Sequence, residues 1–277
     1  MKTLFLDCSM GAAGDMLTAA LFELLPDEEK GSFINRMNSL GIGGVTVVPE
    51  KVKRCGITGT HMKVLIEGRE EHEHDHDHEH DHHHEHVHEH DHDHHHGHGH
   101  DHGHEDGHHS HSSLSDISEQ IMALDLDEKV KEDALQVYHI IAGAESAVHD
   151  TDITQVHFHE VGTKDALADV LSVCLLMSRI RPDRVVVSPV CTGSGSVKCA
   201  HGILPVPAPA TALILKDIPV YQGDIKSELC TPTGAALVKY FADEFSGMPV
   251  MKVDAIGYGM GTKDFERANT VRAFLGT

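Results

Sequence analysis

From Arg69 to His111 the chain alternates histidine with aspartate and glutamate, and a segment of that kind cannot be built into a hydrophobic core. It has no apolar periodicity, so it cannot bury enough surface to offset the entropy of ordering it. It reads as a disordered insertion when no metal is bound, and folding must happen on either side of it. Of 28 histidines, 22 lie between His72 and His111. The tract holds seven Asp, seven Glu and one Arg, so −13 of the net charge of −22 belongs to it. The rest of the charge is ordinary for a soluble protein. This balance argues against nucleic acid and anionic membranes, which require Lys and Arg.

The whole chain of 277 residues is 40% apolar, so the flanking sequence can supply a folded core. Residues 3–8 read as a buried strand, followed by a small-residue loop and a helix from Met16 to Leu25 capped by Asp15. A second helix is expected over 27–40, then two strands, 45–53 and 57–67, in a hairpin. Beyond the tract, helices are expected over 114–124 and 127–149, the latter with Val130, Leu135, Val137, Ile140 and Ile141 as its apolar stripe. Residues 156–159 read as a short strand, 164–180 as a buried helix and 184–190 as a β-branched strand. Thr211–Leu215 and Gly234–Phe245 read as helical. Ala255–Thr262 reads as a glycine-rich turn region.

Interleaved strands and helices predict α/β, or α+β, with a disordered His-rich insertion. The expected division is an N-terminal segment 1–68, the insertion 69–112, and a main segment 113–277 packing with 1–68 as one domain. No stretch approaches the roughly 18 apolar residues of a membrane helix. Asp7 interrupts the apolar start before a signal-peptide core is complete. Six scattered cysteines without C-x-x-C suit a reducing cytoplasm. The expected location is therefore cytoplasmic.

Imidazole suits nickel, zinc and copper, and carboxylates add charge and donors. The candidate ligands are His72, His74, His76, His78, His80, His82, His83, His84, His86, His88, His90, His92, His94, His95, His96, His98, His100, His102 and His104. Without the fixed spacing of a closed zinc site, such a tract is multi-site, labile and poorly selective. The bland alternative is a solvated low-complexity linker. Even the metal reading implies storage rather than catalysis.

The ordered segments are more specific. Leu4-Phe-Leu-Asp-Cys-Ser-Met-Gly-Ala-Ala-Gly-Asp-Met16 resembles the opening motif of the LarC-type nickel-insertion proteins. Glu145-Ser-Ala-Val-His149, Val156-His-Phe-His-Glu-Val-Gly162 and Asp165-x-x-x-Asp169 resemble that family's central motif. His201–Thr211, Cys230–Ala236 and Gly257–Asp264 continue the likeness over essentially the whole chain.

The resemblance implies insertion of Ni(II) into pyridinium-3,5-bisthiocarboxylic acid mononucleotide. The product is the nickel-pincer cofactor of lactate racemase, and the enzyme is a lyase-class insertase. CTP hydrolysis, with Mn2+ or Mg2+, is implied to accompany insertion. Family members usually run on for another hundred or so residues, with which nucleotide binding is associated, and this sequence resembles the shorter N-terminal product. The implied partners are the mononucleotide precursor, a longer form of the protein or the enzyme that receives the cofactor, and a second copy in a homo-oligomer. The alternative is a non-catalytic nickel store or metallochaperone.

Within this reading, His157 and His159 share one face of a strand, beside Glu160. They are candidates to hold metal or to assist loss of the ring proton, which insertion at carbon requires. Asp165 and Asp169 share a helix face, and Asp169 sits among apolar neighbours where a carboxylate needs a partner. These five are the catalytic candidates, with half-exposed strand histidines and solvated acids as the bland alternative. Gly11, Gly14 and Asp15 form a strand–loop–helix turn whose amides could receive the mononucleotide's phosphate, although tight packing explains such glycines almost as well. Asp7, Gly193, Gly195 and His201 complete the cofactor-binding candidates. No G-x-x-x-x-G-K-[ST] occurs, which separates the chain from His-rich nickel GTPases.

Overall fold

The computed structural model describes residues 1–70, 112–158, 161–199 and 201–277. In chain order the elements are β1 (Thr3–Asp7), α1 (Gly14–Glu23), α2 (Asp27–Ser39), β2 (Val45–Arg54), β3 (Ile57–Ile66) and β4 (Arg69–Glu70). Then come β5 (Ser112–Ser113), α3 (Leu114–Ala123), α4 (Glu128–His149), a 3-10 turn at Ile153–Gln155, β6 (His157–Phe158) and α5 (Lys164–Ile180). The last part holds β7 (Arg184–Val187), β8 (Val190–Cys191), β9 (Ser196–Cys199), β10 (Gly202–Pro205), α6 (Pro209–Ile214), β11 (Val220–Tyr221), α7 (Pro232–Phe241), β12 (Glu244–Phe245), β13 (Val253–Met260) and β14 (Thr270–Gly276).

The main sheet runs β12-β7-β1-β14-β13-β3-β2, with β4 added to β3. Its strands come from both sides of the His tract. β1 is parallel to β7 and antiparallel to β14, so the sheet is mixed and the fold is α/β. One face of the sheet carries α1, which lies on β13, β3 and β14; α5 packs on α1, and α4 packs on α5. The core is this stack: Leu4, Leu6, Leu17, Leu21, Ile141, Leu171 and Leu176 are all buried within it.

The predicted hairpin forms as β2 and β3, paired from Val45–Ile66 through Arg54–Ile57 around a turn at Cys55–Gly56. Helices α2, α3, α4 and α5 also occupy the segments expected of them. Of the proposed α4 stripe, Val130, Val137 and Ile141 are buried, while Leu135 and Ile140 are only half-buried. Ala134, Tyr138 and Ala142 complete the inward face.

Other expectations need correction. Asp15 does not cap α1: the helix starts at Gly14 with Ala13 as N-cap, so Asp15 lies inside its first turn. The helix read over 234–245 is α7, which starts at Pro232 with Thr231 as its cap, and ends at Phe241. Glu244–Phe245 is instead an edge strand. The glycine-rich stretch 255–262 is mostly strand β13, not a turn. A Cβ on Gly257 would lie 2.0 Å from the Ala20 carbonyl oxygen, and one on Gly259 would lie 1.8 Å from that of Met16. These glycines exist so that α1 can rest directly on the strand.

Helix α1 is also tied down at its far end. Glu23 accepts hydrogen bonds from the Lys51 ammonium (2.6 Å), the Thr60 hydroxyl (2.7 Å) and the Tyr258 amide (2.8 Å). One carboxylate thus joins the helix to β2, β3 and β13.

Candidate active site

The opposite end of α1 faces the start of α5. A Cβ built on Gly14 would fall 2.6 Å from the Asp169 carboxylate, so a side chain at position 14 would displace that acid. The Asp15 amide donates to the Asp169 carboxyl group, which therefore lies at the N-terminus of α1. Asp165 lies one turn earlier on α5. Both Asp165 and Asp169 have an Oδ1 atom that is out of solvent contact and has no hydrogen-bond partner. Burial, reinforced by the charges of Asp15 and Asp165, pushes the Asp169 carboxyl well above the usual carboxylate range.

Two residues that the sequence did not single out belong here. Tyr138 on α4 is fully buried, its hydroxyl has no hydrogen-bond partner, and burial next to Asp165 and Asp169 pushes its phenol strongly up. The apolar stripe expected for α4 does not include it. His61 on β3 is also buried, with Nδ1 2.9 Å from the Met260 carbonyl oxygen and 3.8 Å from Asp15 Oδ2. An Nδ1–H donated to that carbonyl fixes the tautomer and the orientation of the ring. A lone histidine in an alternating strand carries no signal for this role.

The structure therefore brings Asp15, Asp165 and Asp169 together, with Tyr138 and His61 added. His157 is exposed on β6 opposite Ser113, and its nearby charge is Asp116. His159 and Glu160, and the tract ligands from His72 to His104, lie outside the described residues. Among the described residues no three His, Cys, Asp or Glu side chains form a ready-made metal centre.

The cofactor-binding candidates occupy two loops. Gly11 has φ +87, and the Leu229 carbonyl oxygen lies 1.8 Å from where its Cβ would be. Gly193 meets the Ser227 carbonyl in the same way at 1.9 Å, whereas Gly195 has only Lys226 nearby, at 3.7 Å. Asp7, at the end of β1, accepts hydrogen bonds from Arg272 Nε (2.9 Å) and from the Ser9 amide (3.0 Å). Burial raises the Asp7 pKa, but these bonds outweigh it and leave the carboxyl below its ordinary value. His201 sits between β9 and β10 with its ring 4.9 Å from that of His149. Burial pushes the thiols of Cys8, Cys174 and Cys230 up, so these cysteines behave as core hydrophobes.

The family described as nickel insertion protein matches residues 4–277. The chain belongs to that family. A pyridinium-3,5-bisthiocarboxylic acid mononucleotide nickel insertion protein of Clostridium acetobutylicum is 40% identical over all of this chain and 64% of its own length. The protein of the same name in Geobacillus kaustophilus is 35% identical, again over all of this chain and 60% of its own length. A putative nickel insertion protein of Dictyoglomus thermophilum is 34% identical over all of this chain and 61% of its own. The chain thus spans about three fifths of the length of these relatives. No solved structure matches it. Among the described residues no helix is long and apolar enough to cross a membrane.

Proposed function

We propose that this chain carries the nickel-insertion site for pyridinium-3,5-bisthiocarboxylic acid mononucleotide, with nickel as substrate rather than resident cofactor. The observation that carries the reading is the group of partnerless oxygens on Asp165, Asp169 and Tyr138 at the N-terminus of α1. Polar atoms shut away from water are destabilising by about 1–3 kcal/mol each, and their persistence fits a site that spends part of its cycle holding a charged guest.

Forming a nickel–carbon bond requires the ring carbon to lose its proton. A carboxylate whose proton affinity is raised by burial is a stronger base than an exposed one, which fits Asp169 for that step and Asp165 for tuning it. His157, His159 and Glu160 are proposed to bring nickel to the same place. The mononucleotide is proposed to lie across Asp7, Gly11, Gly14 and Asp15, with Gly193, Gly195 and His201 on its other side. Its phosphate is proposed to lie toward the Gly193–Gly195 loop, because the amide of Asp15 is already engaged by Asp169. CTP with Mn2+ or Mg2+ belongs to the same expectation. Among the described residues no group of three His, Cys, Asp or Glu side chains is set to hold the metal that would accompany CTP.

The test is reconstitution. The purified chain is mixed with the mononucleotide, excess Ni2+, CTP and Mn2+ or Mg2+, and nickel-containing product is followed by mass spectrometry. Product that disappears in Asp169→Asn supports the reading. No product with the unmodified chain under these conditions would leave only nickel storage or delivery.

A further inference from the structure

A second group of donors lies on the surface. Glu145 and His149 are one turn apart near the C-terminal end of α4, with Glu145 Oε2 3.5 Å from His149 Nε2. The His201 ring, from the β9–β10 hairpin, lies 4.9 Å from the His149 ring at a 36° tilt. Both histidines are exposed and Glu145 is half-buried. Two segments about fifty residues apart in sequence therefore place two imidazoles and one carboxylate side by side.

We propose that Glu145, His149 and His201 form a transfer site that binds a divalent transition-metal ion on its way from the His tract. The proposal rests on the nickel reading above. The donor set of two imidazoles and a carboxylate suits nickel, zinc or cobalt better than magnesium or calcium. The position fits as well. The tract's last histidine, His111, immediately precedes β5, which pairs with β6, and β6 follows α4 by a short turn.

The three side chains are not set as a finished coordination shell, which agrees with the lack of a ready-made metal centre among the described residues. Exposed histidines change rotamer readily, so arriving metal would close the shell. A site that must be closed by its metal holds it weakly and releases it easily, as transfer requires.

The tract would dominate any bulk nickel titration, so the test needs a readout resolved by residue. Histidines of the full chain are carbethoxylated with diethyl pyrocarbonate, with and without Ni2+, and each peptide is quantified by mass spectrometry. Exposed His139, on the same helix, is the internal control. The expected result is that Ni2+ slows modification of His149 and His201 together and leaves His139 unchanged. Glu145→Gln should raise the nickel concentration needed by about tenfold. In His149→Gln, protection of His201 should be lost.

Two results overturn the proposal, and they differ in reach. Protection of tract peptides without protection of His149 and His201, or protection of His201 that survives His149→Gln, removes the transfer site and leaves the nickel reading standing. If Ni2+ protects no histidine anywhere in the chain, the nickel reading falls with it.

Discussion

The two ends of helix α1 hold acids under opposite conditions. At the C-terminal end the helix dipole disfavours an anion, yet Glu23 is satisfied by three donors from three strands. At the N-terminal end the dipole favours an anion, yet Asp165 and Asp169, crowded by Asp15, each keep a buried oxygen without a hydrogen-bond partner. One end is built for stability. The other gathers carboxyl groups of which two keep buried oxygens without hydrogen-bond partners, the kind of arrangement found at functional sites.

Four substitutions break or sharpen this contrast. Gly259→Ala has the largest expected effect, on the seating against β13 that both ends of α1 depend on. Its Cβ would lie 1.8 Å from the Met16 carbonyl, so α1 must lift off the sheet, and a loss of about 3 kcal/mol or more is expected in urea unfolding. Glu23→Ala removes the carboxylate shared by Lys51, Thr60 and the Tyr258 amide. A loss of roughly 2–3 kcal/mol is expected by the same measurement.

Asp169→Asn should act in the other direction. The folded pKa of Asp169 is raised, so its contribution to stability is fully present below the unfolded value near 3.8 and is lost as pH rises through the folded value. The asparagine variant escapes that loss. It should be more stable than the parent by about 1 kcal/mol at pH 7, with the gap closing toward pH 4, while nickel insertion is abolished. Thermal melts across that pH range, paired with the reconstitution assay, check both halves. A variant destabilised at pH 7 would show that the acidic end is structural after all.

Tyr138→Phe has the smallest expected effect on stability. It keeps the ring that packs 6.1 Å from Phe158 and deletes a hydroxyl without a hydrogen-bond partner. A gain of under about 1 kcal/mol is expected in chemical unfolding, the relief of a buried partnerless hydroxyl less the packing lost with it. A large loss would mean that the hydroxyl is satisfied in solution and does not belong to the strained group.

Much of the fold was legible in the chain. The alternation over 45–66, the periodicity of α4 and the apolar run of α5 each report burial directly, because side chains repeat every second residue in a strand and every third or fourth in a helix. Thr270–Gly276 passed unnoticed as a strand, and the glycines of β13 read as a turn. Their meaning depends on a helix more than two hundred residues away in sequence. The acids of the site were legible as motif residues. Tyr138 and His61 were not, because a tyrosine in a helix and a histidine in a strand are ordinary until their neighbours are known.

By itself, the sequence determined that residues 69–111 cannot supply a core, that the flanks form alternating strands and helices, and that the chain belongs with the nickel insertion proteins. Composition, periodicity and motif are local properties, and they survive in a one-dimensional string. Only the tertiary structure decided that Asp169 lies at the N-terminus of α1 beside Asp15, that Tyr138 shares that enclosure, and that His201 meets His149. Those facts depend on which helices pack together, and packing sets both the burial and the neighbouring charges that give a side chain its chemistry.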